Sequence, residues 1–425
     1  MRVGAKIQSV IMMLDIFFES ATPFDIVMAK FFKNNKWIGG HDRREIAEFS
    51  YAVFRNYERI KFLTSKITEH FGRFFVLAYL KKTEKYSNEK IREIFSGKEF
   101  EPKKLTDFEH TFIEKIEKIY NFPENTILNY PLWMDQYFRR AFKKNFEDEM
   151  RSLNEKAFVD LRINTLKSNI NEVEKLLADS NFEIEKTKLS ANGIRILNGR
   201  ISRNHPIIKD GLAEIQDEGS QLVAEVCNCN YNTSSKNTVI DFCAGAGGKT
   251  LAIAASMNNK GRIFALDKYV ERLENAKIRF RRANVNNVTC QEISGKWIKR
   301  HKECADIVLV DAPCSGTGTW RRNPDMRAKF QKKDLEELLT VQANILTTAS
   351  SLIKKGGRLI YSTCSVFFEE NEDQIERFLS AFPNFKIEKI HLNDLENVFN
   401  GNYLRLSPFR NGTDGFFAAS LERIE

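Results

Sequence analysis

Val239-Ile240-Asp241-Phe242-Cys243-Ala244-Gly245-Ala246-Gly247-Gly248-Lys249-Thr250 passes from a short apolar run through a glycine-rich turn into a helical pattern reaching residue 257. The order strand, glycine turn, helix repeats in outline downstream. Residues 262–267 predict a second strand and 270–283 a helix. Residues 288–293 predict a third strand, and 307–310 a short, wholly apolar fourth such as occupies the buried centre of a parallel sheet. A long helix over 334–353 and a strand over 358–362 follow. Such alternation predicts a doubly wound α/β sheet. Ligands of that architecture bind beyond the carboxyl ends of the strands, so the residues just after each strand carry the most information.

The first such turn is a candidate cofactor cradle formed by Cys243, Ala244, Gly245, Ala246, Gly247, Gly248 and Lys249. Glycine lets backbone approach a ligand closely and accepts positive φ. Lys249-Thr250 raises the alternative of a phosphate loop, but that motif needs a glycine five places before Gly248, where Cys243 stands. Asp267 ends the second strand at the distance expected of a carboxylate gripping ribose hydroxyls, which favours a nucleoside cofactor. The competing structural explanation is a tight turn and nothing more.

Two further strand ends carry thiols. The fourth strand runs into Asp311-Ala312-Pro313-Cys314-Ser315-Gly316-Thr317-Gly318, and the fifth into Tyr361-Ser362-Thr363-Cys364-Ser365. One cysteine in such a place is commonly a small buried apolar residue. Two, with Asp311 nearby, suit a particular reaction. Carbon 5 of cytosine is a poor nucleophile until a thiolate adds to carbon 6 and an acid engages ring nitrogen 3; the resulting enamine attacks an electrophilic methyl group. The thiol must be activated by its surroundings, and no histidine lies in either turn. The residues alone leave open which cysteine attacks.

The Asp311–Gly318 motif, followed by Arg321-Arg322-Asn323-Pro324-Asp325, resembles the Sun/Fmu-type RNA (cytosine-5) methyltransferases. Ser362-Thr363-Cys364-Ser365, the glycine loop, Gln216-Asp217-Glu218-Gly219-Ser220-Gln221 and Gly412-Thr413-Asp414-Gly415-Phe416-Phe417 match in the same order. Asp42-Arg43-Arg44-Glu45-Ile46 and the helical pattern around it are similar to the NusB-like domain of the bacterial 16S ribosomal RNA enzyme. The resemblance implies a Rossmann-like class I methyltransferase sheet, preceded by an all-helical NusB-like domain and a small α/β RNA-binding module. It implies S-adenosylmethionine as donor and RNA as acceptor and partner, with small-subunit ribosomal RNA expected and transfer RNA the alternative. Cys364 becomes the nucleophile, Cys314 an aid to release, and Asp311 the contact to the base and cofactor. Arg162 and Asn164 are placed in RNA binding by the same analogy. The chain departs from the family in two informative places: its loop lacks the usual proline, and Glu292 stands where an aspartate usually meets the adenine. A catalytically silent RNA-binding assembly factor is the alternative from another class.

Organisation along the chain fits three segments. Residues 1–130 are expected to be helical. Ile7, Val10, Ile11 and Leu14 share one face, and a long helix is expected over 42–63. The arginines of that helix, Arg43, Arg44, Arg55 and Arg59, suit a solvated face and an RNA-facing one equally. Phe71, Phe74 and Phe75 are expected in the core rather than on a stacking platform. Residues 131–210 predict a small module with strands over 158–163 and 194–201 flanking a helix over 170–179. Residues 211–425 form the sheet domain. Of 66 basic and 57 acidic side chains, residues 1–150 hold 26 against 22, residues 151–210 hold 11 against 8, and residues 211–425 hold 29 against 27. No segment is a strongly basic tail, so nucleic acid must be held by local patches. Arg321 and Arg322, with Arg327 and Lys329, are expected to meet phosphates beside the active site, whereas Lys277, Arg279, Arg281 and Arg282 read as a solvated helix end.

Composition narrows the setting. No apolar stretch approaches the roughly 18–20 residues of a membrane helix, and the early run Val10–Leu14 is too short for a signal-peptide core. Seven cysteines, with none before Cys227, do not form a disulfide framework. The expectation is a cytoplasmic, monomeric protein with no membrane partner. Cys227-x-Cys229 lacks zinc-type spacing, so no metal is expected.

Overall fold

The computed structural model describes residues 1–227, 237–392, 395 and 398–425; Cys229 lies outside them. The chain forms two compact units. One comprises Met1–Gln136, Met150–Glu155 and Trp320–Phe330. The other holds Tyr137–Glu149, Lys156–Thr319 and Gln331–Glu425.

The first unit is helical. Its leading helix, Val3–Glu19, buries Ile7, Val10, Ile11 and Leu14 as their spacing predicts. The helix expected over 42–63 is two, Gly40–Phe54 and Tyr57–Leu63. The break at Arg55-Asn56 is held by Asn129, whose amide donates to the Arg55 carbonyl at 2.7 Å and whose Oδ1 accepts from Glu58 N–H at 2.8 Å. A side chain distant in sequence thus satisfies backbone groups that a continuous helix would have paired internally. Phe74 and Phe75 are in the core, while Phe71 at the helix start is exposed.

In the second unit, four short strands make an antiparallel sheet with its own core: β1 (Val159–Ile163), β2 (Ile184–Lys186), β3 (Gly193–Ile196) and β4 (Ala213–Ile215), in the order β2-β3-β1-β4. The strand expected over 194–201 stops at Ile196, and β2 and β4 are too short to leave a period in the sequence.

The large sheet contains five parallel strands, β5 (Thr238–Asp241), β6 (Arg262–Asp267), β7 (Val288–Glu292), β8 (Ala305–Asp311) and β9 (Ile353–Thr363), ordered β9-β8-β5-β6-β7. Neighbouring residues go to opposite faces: Val308 and Val310 join one apolar cluster, Ile307 and Leu309 another. Both faces are therefore buried, which is why β8 is apolar throughout. Beyond β9 come antiparallel strands that the alternation did not predict: β10 (Phe385–Glu388), β11 (Phe399–Asn400), β12 (Tyr403–Leu406) and β13 (Phe416–Arg423). β13 pairs with β9 on one side and with β10 and β12 on the other. The parallel strands place Asp241, Asp267, Asp311 and Thr363 along one edge. Among the described residues no helix is long and apolar enough to cross a membrane.

Candidate active site

The glycine turn is built around two backbone requirements. Gly247 has φ of 79°, and a Cβ there would lie 2.6 Å from the Phe280 ring, so both conformation and space demand glycine. Gly245, at φ 54°, donates its N–H to Asp267 Oδ2 at 2.9 Å, while Asp267 Oδ1 accepts from Tyr269 N–H at 2.8 Å. The acid at the end of β6 thus shapes the turn as well as facing the space above it. That space is a cavity of about 1020 Å³, lined by Cys243, Ala244, Gly245, Ala246, Gly248 and Lys249, with Asp267 and Asp311. Its size suits a nucleoside cofactor. Glu292 is exposed and lies outside the cavity lining, where Ile293, the next residue, takes part.

Asp241 lies beneath the turn. Its Oδ2 accepts from Thr250 Oγ1 at 2.6 Å, and its other oxygen is buried without a hydrogen-bond partner. Burial pushes this carboxyl up to about 7. Arg279 is not a solvated helix end. It donates to the Ala246 carbonyl at 2.7 Å and pairs with Glu214 at 2.8 Å, and Arg282 pairs with the same glutamate. Its signal was hidden because the partner, Glu214 on β4, is distant in sequence and itself buried.

At the adjoining strand ends, Lys249 Nζ lies 2.7 Å from Asp311 Oδ2, and Ser362 Oγ donates to Asp311 Oδ1 at 3.2 Å. Burial disfavours the Lys249 ammonium, but Asp311 outweighs it and holds the group charged, above its ordinary value. Cys314 Sγ and Cys364 Sγ are 3.4 Å apart. The hydrogen bond to Cys364, then burial, raise the Cys314 thiol well above the usual range. The geometry therefore joins Cys314, Cys364, Asp311 and Lys249 into one cluster.

Two supports hold the thiol turns, neither found from sequence. Buried Glu370 accepts from Ser315 N–H at 2.8 Å and Gln342 Nε2 at 3.0 Å, and from the hydroxyls of Ser315 and Ser365. One carboxylate thus binds the residue after each cysteine. Gly318 donates to the Cys364 carbonyl at 2.9 Å and accepts from Gly415 N–H at 2.8 Å. A Cβ on Gly318 would sit 2.2 Å from the Gly415 carbonyl oxygen.

The four residues expected at RNA are placed differently. Arg162 is buried and donates to Gln216 Oε1 at 2.6 Å; Asn164 is buried and donates to the carbonyls of Gly211 and Ala283 at 2.8 and 2.9 Å. Both are satisfied internally, because amide and guanidinium groups that leave water require such partners, and Asn164 links the small sheet to the helix before β7 through Ala283. Arg321 is buried, and its carbonyl accepts from Arg55; Arg322 is half-buried. Arg327 is fully buried under Trp320 and donates to the Asn129 carbonyl at 2.8 Å, and Lys329 donates to the carbonyls of Phe17 and Ser20. Arg327 and Lys329 are thus engaged inside the helical unit.

A parallel sheet in this order, with an antiparallel strand beside β9 and a glycine-lined cavity at its carboxyl edge, is the fold of the S-adenosylmethionine-dependent methyltransferases. The chain belongs to the 16S rRNA methyltransferase RsmB/F family, whose model matches residues 229–422, and the RsmF/B-like ferredoxin-like domain matches 130–201. It is 34% identical over 269 residues to the probable ribosomal RNA small subunit methyltransferase B of Bacillus subtilis, covering 62% of this chain and 59% of the relative. To the Synechocystis protein of the same description it is 32% identical over 303 residues, covering 69% and 67%. The solved structure of PH0851 aligns with a TM-score of 0.80 at 26% identity over 99% of this chain and 98% of that one. A methyltransferase homolog protein from Pyrococcus horikoshii aligns at 0.60 and 26% over 70% and 97%.

Proposed function

We propose that the protein methylates carbon 5 of a cytosine in RNA, within 16S ribosomal RNA, through a covalent bond from Cys364 to carbon 6 of the base. The observation that carries this reading is the contact of two thiols, 3.4 Å apart, near an aspartate paired with a lysine, both of which line the cofactor cavity. S-adenosylmethionine, held by the glycine turn and Asp267, supplies the electrophilic methyl group when bound. The Cys364 thiolate adds to carbon 6, which pushes electron density to carbon 5 and makes it the nucleophile, while Asp311 at ring nitrogen 3 stabilises the charge that the addition places on the ring. The Lys249 ammonium fixes Asp311 and contributes positive charge where negative charge accumulates. After transfer the Cys314 thiolate, placed against Cys364, takes the carbon 5 proton, the 5,6 double bond re-forms, and the carbon–sulfur bond breaks with its electron pair leaving on Cys364 as thiolate. The relatives' description as ribosomal RNA small subunit methyltransferase B favours the 16S target.

Two variants test the assignment. Cys314→Ala is expected to accumulate a covalent RNA–protein adduct that survives denaturing electrophoresis, and Cys364→Ala to form none. The reverse pattern overturns the roles. Bisulfite sequencing of ribosomal and transfer RNA from cells with and without the gene identifies the methylated cytosine; a site lost only from transfer RNA rejects the 16S target.

A further inference from the structure

A second cavity, of about 340 Å³, lies beside the Cys364 turn. None of its lining residues lines the cofactor cavity. Ser365 and Val366, the two residues after Cys364, form part of its wall, and Phe416 forms another part. Phe416 also ties it to the chemistry, since the Lys249 ammonium sits 5.5 Å from the centre of that ring. Phe142 adds a second aromatic side, and Lys143 and Lys144 stand exposed at the lining. Neither ammonium has a partner among the described residues. Glu149 lines the cavity too, but its oxygens are taken by Ser407 Oγ and Phe409 N–H.

Two aromatic walls and two free cations within one small space match one nucleotide: aromatic faces accept a base without regard to its identity, and lysines accept phosphate. The volume is at the low end of the roughly 300–1,000 Å³ of small-ligand pockets, enough for a single nucleotide-sized group. A strand that delivers its cytosine to Cys364 must continue past the Cys364 turn. We propose that this cavity receives the nucleotide adjoining the target cytosine in the same RNA strand, its base against Phe142 and Phe416 and its flanking phosphates on Lys143 and Lys144. The inference rests on the reading of Cys364 as the nucleophile toward RNA.

The test uses the full chain and a short single-stranded RNA carrying the cytosine identified by bisulfite sequencing. Two further oligonucleotides are abasic at one or the other neighbour. In Lys143→Ala/Lys144→Ala the slope of log binding constant against log salt is expected to fall by about 1.4, from about 0.7 for each single-strand phosphate contact. S-adenosylmethionine affinity is expected to stay unchanged. In the Cys314→Ala background, one of the two abasic RNAs is expected to form adduct about tenfold more slowly than the intact RNA. An unchanged salt slope, or indifference to both abasic substitutions, overturns this inference while leaving the nucleophile assignment standing. Failure of every RNA to form adduct in Cys314→Ala overturns the assignment and this inference with it.

Discussion

Residues 311–319 and Trp320–Phe330 are consecutive in the chain and opposite in use. The first stretch is almost uncharged, yet it brings Asp311 and Cys314 to the carboxyl edge of the sheet. The second carries Arg321, Arg322, Arg327 and Lys329, yet one Arg327 nitrogen and the Lys329 ammonium donate to carbonyls of the helical unit. A strand end is placed by topology, because every parallel strand delivers its last residue to the same edge. A cation is placed by whichever partners surround it, and the sequence neighbourhood does not reveal them. Charge density near a catalytic motif is thus weaker evidence of an RNA surface than the motif is of a site.

Asp311→Asn tests the first half of this contrast and carries the largest effect. It preserves shape but removes the carboxylate that holds Lys249. We expect kcat to fall about 10²–10⁴-fold, the range for losing a positioned acid–base group, together with a lowered thermal midpoint from the unpaired Lys249 ammonium, while the protein still folds and binds RNA. Arg327→Ala tests the second half. It empties the space under Trp320 and leaves the Asn129 carbonyl unpaired. A loss of about 2–5 kcal/mol in chemical denaturation is expected, as for other large buried truncations, with an unaltered salt slope of RNA binding. A reduced salt slope at unchanged stability would return this segment to the RNA surface and erase the distinction.

The same distinction explains what could be read from sequence. The five parallel strands, the glycine turn, Asp267 and both thiols are legible because each follows from local pattern plus the carboxyl-edge rule. The antiparallel strand β13 is not: Phe416–Leu421 is an unbroken buried run with no alternation to mark it. Glu370 is equally hidden, since a lone glutamate shows nothing of the turns from two strands that converge on it. Glu292 is not placed by its motif position, which does not fix on which side of the strand end a side chain lies. Arg162 and Asn164 misled because polar residues on a short strand look alike whether they face solvent or partners inside the protein.

Asp241 sharpens the comparison within the cradle itself, because it is a strand-end acid buried in place of being presented. Its folded-state pKa is raised from 3.8 to about 7. The folded protein keeps this proton up to about pH 7, whereas the unfolded chain releases it near 3.8. Folding therefore takes up a proton between those limits, and stability declines as pH rises through them. Unfolding midpoints of the parent at pH 5 and pH 8 are expected to show that decline, and Asp241→Asn to flatten it. A parent midpoint that rises over the same interval contradicts the buried, protonated acid.

Arg279 gives the smallest expected effect and the finest discrimination. Its guanidinium braces the Ala246 carbonyl and shares Glu214 with Arg282, so Arg279→Met removes one brace of the glycine turn while Arg282 still neutralises the glutamate. One hydrogen bond of this kind is worth about 1 kcal/mol. Calorimetric titration is therefore expected to show S-adenosylmethionine affinity weakened about fivefold, with RNA affinity and its salt slope intact. The opposite result, weaker RNA binding at unchanged cofactor affinity, would mean that this cation is presented to a strand after all. The lesson of Trp320–Phe330, that cations beside a site motif are engaged internally, would then not extend to the glycine turn.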